Sequence, residues 1–332
     1  MKVKIVSQHF KWNRGEKDMA QYNTALVLGG GGVRCMAHVG VFKALHEHGI
    51  EPDLIVGSSI GSVLGAVYAY MKDPVYVEGF ANKFSSNKIM QRMERTINRH
   101  GETVFSRIVS FLAFSSGIIH AFWRQGIVSE ELVKKAYSNI LGDGVLLSRK
   151  FLIEDTAIPF AALTTDYNTA EAVAVTKGEL PTILYASSAY PGLCKPVLYG
   201  GRVLMDGGVI SVVPVLAAHL LGAKKIIAVD TEPKATKKAC KNGVEVINHA
   251  ADIRGHRLNI FEKNLADIVI SPDINGYKFY EFSKMNECKD AGYRETVKTI
   301  DRIKGLVSSP DYDSEIYHKR QTMEAYYPFA VI

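Results

Sequence analysis

The chain has 332 residues, 47% of them hydrophobic and 22% charged, which is enough for one large or two modest cored domains and excludes global disorder. A net charge of +6 is mild for this length, and there is neither an aromatic-interleaved basic motif nor zinc-finger spacing, so nucleic acid is not expected as a partner. The four cysteines are scattered with no Cys-x-x-Cys, the N-terminal apolar stretch is too short for a signal-peptide core, and no uncharged apolar run reaches membrane-spanning length, so a reducing, cytoplasmic setting is expected.

Residues 1–21 read as a polar lead-in, 22–306 as the folded domain and 307–332 as a polar tail packed on its surface. Thr24–Leu28 reads as a strand that runs into four successive glycines, Gly29 to Gly32. A helix follows, with Ala37, Val41, Ala44, Leu45 and His48 on one stripe and Gly49 as its stop. Several unobstructed backbone N–H groups between a strand and a helix make an anion cradle. A dinucleotide pyrophosphate is one candidate anion, but the Gly-x-Gly-x-x-Gly spacing fails: from Gly29 its last position is Arg34, and from Gly30 it is Cys35. The Gly-Lys-Ser/Thr of a phosphate-binding loop is missing too. The oxyanion of an acyl-transfer intermediate is the other candidate.

Asp53–Val56 reads as a second buried strand and Ile60–Tyr70 as an apolar helix, with Gly57-Ser58-Ser59-Ile60-Gly61 between them. A strand turning abruptly into a helix crowds its corner residue. Glycines two before and two after it let neighbouring backbones pass, and the Ser59 oxygen is pushed out near a helix N-terminus. Such a turn suits a nucleophile, and it also suits a plain tight connection. The opening strand–helix–strand–helix order argues for a mainly parallel sheet covered on both faces.

Residues 74–150 look irregular and helical, and they include Ile108–Trp123, sixteen residues without Asp, Glu, Lys or Arg. That segment is too short to span a bilayer and suits an acyl pocket, a membrane contact or a buried helix pair. Further strands are expected at Ile158–Thr164, Ala172–Thr176, Val197–Leu204, Lys225–Asp230 and Asp267–Ser271. Helices are expected near Leu180–Ala189, Val213–Leu221 and Tyr293–Ile303. Asp206-Gly207-Gly208 closes a strand, where an acid beside glycines can approach another loop; an ordinary Asp-Gly turn is the plainer reading. Lys234, Lys237, Lys238 and Lys241 could meet anionic headgroups or simply face solvent.

A serine triad would need a histidine after the acid, but His219, His249, His256 and His318 lack a loop context that marks a base. His38 and His46 sit on the first helix as packing or surface residues, and no ligand spacing points to a metal.

The three motifs in order, Gly30 to Arg34, Gly57 to Gly61 and Asp206 to Gly208, together resemble the patatin-like phospholipase family. The likeness continues through "IPFAALTTDYNTAEAV", "ASSAYPGLCKPV" and "ADIVISPDINGY" and covers roughly residues 22–305. It implies a three-layer α/β/α fold around a mainly parallel sheet, and a serine–aspartate dyad in place of a triad. By position it implies Ser59 as nucleophile, Asp206 as proton acceptor and Gly30, Gly31, Gly32 and Arg34 as the oxyanion hole. Gly57, Gly61, Gly207 and Gly208 support the motifs, and no metal or cofactor is implied. The implied activity is hydrolysis of a carboxylic ester in a lipid, of phospholipase A or lysophospholipase type, in the cytoplasm or peripherally at a membrane. One departure stands out: the family usually has glycine after the motif arginine, and here Cys35 occupies that place, which would bring a modifiable thiol near Ser59. The alternatives are a histidine-dependent esterase, or a binding or regulatory protein that keeps the fold with little catalysis.

Overall fold

The computed structural model of the chain describes residues 22–86, 151–191, 194–232, 243–310 and 314–332, together with 131, 134 and 240. The lead-in, the apolar segment 108–123 and the lysines at 234, 237, 238 and 241 lie outside these residues.

Among the described residues the strands are β1 (Tyr22–Leu28), β2 (Leu54–Ser58), β3 (Phe160–Asp166), β4 (Ala172–Val175), β5 (Val197–Tyr199), β6 (Arg202–Asp206), β7 (Ala223–Val229), β8 (Ile268–Ile270) and β9 (Phe329–Val331). The helices are α1 (Ala37–Glu47), α2 (Ile60–Met71), α3 (Pro74–Ser86), α4 (Leu180–Ser187), α5 (Val215–Leu220), α6 (Gly243–Lys263), α7 (Met285–Ser308) and α8 (Glu315–Met323). One sheet holds all nine strands in the order β5-β6-β3-β2-β1-β7-β8, with β4 pairing β3 and β9 pairing β4. The run from β3 through β2, β1 and β7 to β8 is parallel, as the strand–helix alternation requires. Among these strands, antiparallel pairing is confined to β3–β4, β3–β6 and β5–β6.

The central strands are apolar on both faces, and successive residues feed two cores. Leu26, Leu28 and Ile55 pack on one side with residues of α1, α2, α3 and α7. Ala25, Val27, Leu54 and Val56 pack on the other with Val215, Leu216 and Leu221 in and after α5. The result is a mixed, mainly parallel sheet between two helical layers.

Two expected elements differ. The strand anticipated at Val197–Leu204 is a hairpin of β5 and β6, turning at Gly200 and Gly201 with φ of 56° and 75°. Positive φ at two successive residues makes a tight hairpin turn, which a run of apolar residues on either side conceals. The C-terminal residues do more than lie on the surface: β9 extends the sheet beside β4, and Arg320 of α8 is completely buried.

The register of β3 brings the site together. Its first half pairs with β2, ending at Ser58 opposite Leu163, and its second half continues onto β6, beginning with Thr164 opposite Asp206. The ends of β2 and β6 therefore abut on one strand, one residue apart.

Candidate active site

Ser59 stands at the corner between β2 and α2, with φ 53° and ψ −129°. A non-glycine residue with positive φ costs on the order of 1–3 kcal/mol and survives only where its surroundings impose it. Here they do. A Cβ at Gly57 would lie 2.4 Å from Ser62 Cα, and one at Gly61 would lie 2.5 Å from the carbonyl oxygens of Leu28 and Gly29. Both flanking positions are thus held to glycine by backbone. Ser59 N–H donates to Ser187 Oγ at 3.2 Å, and Ser187 in turn donates to Leu163 O at 2.6 Å.

The Ser59 hydroxyl donates to Asp206 Oδ2 at 2.8 Å. The other carboxylate oxygen, Oδ1, accepts from Gly208 N–H at 2.7 Å. The Asp206 backbone is fixed as well: its N–H donates to Ala189 O at 3.1 Å, and its carbonyl accepts from Thr165 Oγ1 at 2.9 Å. Gly207 runs against the β3 backbone, where an added Cβ would stand 2.4 Å from Leu163 O. Asp206 is 4% exposed, and burial pushes its pKa up to about 6 against the opposing pull of Ser59 and Gly208.

The glycine loop lies beside this pair, with a Cβ built on Gly30 falling 3.1 Å from Ser59 Cβ. Its carbonyls are tied down one after another. Gly29 O accepts from His38 Nε2 at 2.8 Å and from the Cys35 thiol at 3.4 Å. Gly30 O accepts from Thr231 Oγ1 at 2.9 Å, and Gly31 O from Arg34 Nε at 3.1 Å. In a trans peptide the following N–H faces away from its carbonyl. Thr231 and Arg34 therefore set the directions of the Gly31 and Gly32 N–H groups. The Gly30 N–H is already engaged with Val212 O at 2.9 Å, and Val33 N–H with Phe279 O at 2.8 Å. Of the four residues expected to form the oxyanion hole, Gly31 and Gly32 thus have oriented N–H groups. Gly30 supplies proximity, and the Arg34 side chain braces the loop.

Cys35 lies behind the loop. It is completely buried, 3.5 Å from Thr231 Oγ1, and burial pushes its pKa up to about 12. A buried, protonated thiol is a poor target for modification, contrary to the expectation of a reactive group near Ser59. His38 is also completely buried, and burial holds it down to about 4, so it is neutral and donates from Nε2. His219 pairs with Glu324 at 2.8 Å and His256 with Glu232 at 3.4 Å. Among the described residues no histidine hydrogen-bonds to Ser59 or Asp206. Ser187 and Thr231 were not singled out by sequence. The first sits within the small-residue segment upstream of Asp206, and the second follows the expected strand Lys225–Asp230 at the end of the sheet where such sites form.

The family model described as patatin-like phospholipase matches residues 26–219. The chain is 31% identical over 319 residues to patatin-like phospholipase domain-containing protein 7 of Rattus norvegicus, covering 86% of this chain and 21% of that protein. It is 29% identical to lysophospholipase nte1 of Neosartorya fischeri, covering 90% of this chain and 20% of the other. The chain thus spans about a fifth of the length of these curated relatives. A solved structure, VipD from Legionella pneumophila, aligns over 85% of this chain and 67% of that one with a TM-score of 0.46 and 13% identity.

Proposed function

Because this chain belongs to the patatin-like phospholipase family, we propose that it is a lipid acyl hydrolase that cleaves carboxylic esters with Ser59 and Asp206 as a dyad. The observation that carries the reading is the 2.8 Å hydrogen bond from Ser59 to a buried carboxylate, at a corner held in a strained conformation. The relatives named as lysophospholipases support a glycerophospholipid or lysophospholipid as the substrate class.

The Ser59 oxygen attacks the ester carbonyl as its proton passes to Asp206 Oδ2. Negative charge gathers on the former carbonyl oxygen, where the N–H groups of Gly31 and Gly32 serve as donors; removing one such donor typically costs roughly 10²–10³ in rate. Collapse expels the alcohol, which takes the proton back from Asp206 and leaves an acyl-serine. Water then attacks that acyl group, Asp206 takes its proton, and return of the proton to Ser59 releases the fatty acid. An ordinary aspartate, with a pKa near 4, would be a feeble base; the dry setting of Asp206 improves it.

Covalent labelling with a fluorophosphonate probe, mapped by mass spectrometry, tests the assignment. The wild-type protein is expected to label at Ser59, and Ser59→Ala and Asp206→Ala are expected to lose labelling while melting as folded proteins. Labelling at another residue, or none on folded wild-type protein, would sink the dyad. Absence of labelling would favour a binding or regulatory role for this fold.

A further inference from the structure

Helix α6 presents its faces in an unusual order. The side turned inward is polar and anchors the helix to the site. Glu262 accepts from Ser211 Oγ at 2.6 Å and from Leu216 N–H at 3.0 Å, in the segment that follows Asp206. Asn259 donates to Asp230 at 3.2 Å, and Lys263 pairs with Asp230 at 2.5 Å, next to Thr231. The outward side is apolar. Val246, Ile253, Leu258 and Phe261 are 55%, 53%, 52% and 48% exposed. The spacing puts Val246, Ile253, Arg257 and Phe261 on one stripe, with Arg254 and Leu258 along its margin.

Arg257 is exposed on this stripe and Arg254 on its margin, and neither joins an ion pair among the described residues. Asp252 and Glu262 fall at other angles. An exposed apolar stripe marks an interaction surface. Two guanidinium groups, unpaired among the described residues, complement an anionic partner.

We infer that the outward face of α6 docks on an anionic lipid surface, with the four apolar side chains entering the headgroup boundary and the two arginines meeting lipid phosphates or carboxylates. The helix is bonded directly to the segments after β6 and β7. Docking by this face therefore tethers to the bilayer the same segments that follow Asp206 and precede Thr231. The choice of a lipid surface over another protein rests on the reading of the site as lipid-hydrolysing. The docking itself does not require catalysis.

Flotation with vesicles on the Ser59→Ala background separates the two, because nothing is hydrolysed. Vesicles of phosphatidylcholine alone are compared with vesicles that also contain phosphatidylserine, at low and high salt. The protein is expected to float with the anionic vesicles and to be released by salt. Ile253→Glu with Phe261→Glu, and separately Arg254→Glu with Arg257→Glu, should each weaken binding by about tenfold or more, because each removes a surface-seeking group and adds a repelled charge. Melting temperatures within a few degrees of the parent would show that these exposed positions leave the fold intact. Binding unchanged in both double variants would overturn the assignment of α6. So would failure of the folded parent to float, or a dimer that Ile253→Glu with Phe261→Glu converts to monomer, since a second copy would then be what covers the stripe. Failed labelling at Ser59 with intact flotation would instead overturn the catalytic reading and leave the docking face standing.

Discussion

Asp206 has two demands on it that pull in opposite directions. As a base it must be ionised, and as a buried group it prefers to keep its proton. Its pKa of about 6 sets the outcome: with a soluble ester, kcat/KM should climb through an apparent pKa near 6 and level off above it. A profile still flat at pH 4 would mean that another group takes the proton. The same shift has a stability sign. Between the unfolded value near 4 and the folded value near 6 the native state binds more protons than the unfolded one, so this group's contribution to stability falls as pH rises through that window. Thr231 acts one step further back. Its hydroxyl holds the Gly30 carbonyl and thereby aims the Gly31 N–H. Thr231→Val keeps the shape and removes the donor, and should lower kcat by about tenfold, a fraction of a lost oxyanion donor, with little change in KM. Thr231→Ser should restore the rate. A fall in melting temperature with kcat unchanged would show that the hydroxyl only packs.

Elements differ in how openly the sequence declares them. The corner from β2 to α2 could be read in advance because its cause is local: apolar strand, two glycines, apolar helix, all within residues 54–71. The pairing of Ser59 with Asp206 is 147 residues apart in the chain and came from the family resemblance, since no local pattern predicts the register of β3 that joins them. The carbonyl ties from Thr231, Ser187 and His38 were invisible for the same reason, as each targets a distant backbone oxygen whose position exists only in the fold. Helix α6 escaped because its inward side carries Asn259 and Glu262 while its outward side is apolar, the reverse of the pattern that marks a helix against a core. The helix expected at Tyr293–Ile303 proved to be the middle of the longer α7. Its earlier turns are needed to meet α1, where Gly292 lets Ala37 O approach to within 2.0 Å of the place a Cβ would take. That constraint comes from contact between helices, and composition alone gives no sign of it.

At the scale of the molecule, the loops after β1, β2 and β7 leave one end of the parallel run, and β6, running the opposite way along β3, brings Asp206 to meet them, so the site is only as firm as the strand order beneath it. The far C-terminus secures that order from the opposite end of β7 and β8. Arg320 of α8 donates to Leu265 O at 2.8 Å, to Asp267 Oδ2 at 3.1 Å and to Lys224 O at 2.6 Å, spanning the start of β7 and the approach to β8. Asp267 Oδ2 also accepts from Ile226 N–H at 2.6 Å. Lys225 adds a second tie, donating to Ser309 O at 2.6 Å beyond the end of α7. A buried ion pair adds little over an apolar pair of the same shape, but removing one partner strands the other charge. Arg320→Met should therefore lower unfolding free energy by about 3–5 kcal/mol in urea, and adding Asp267→Asn should return part of that loss. Fluorophosphonate labelling of the residual folded protein should persist, because these groups sit at the end of the strands away from Ser59. A loss below about 1 kcal/mol, within reach of an exposed pair, would show that α8 merely rests on the sheet. Loss of labelling in still-folded protein would show instead that the two ends of the sheet are coupled.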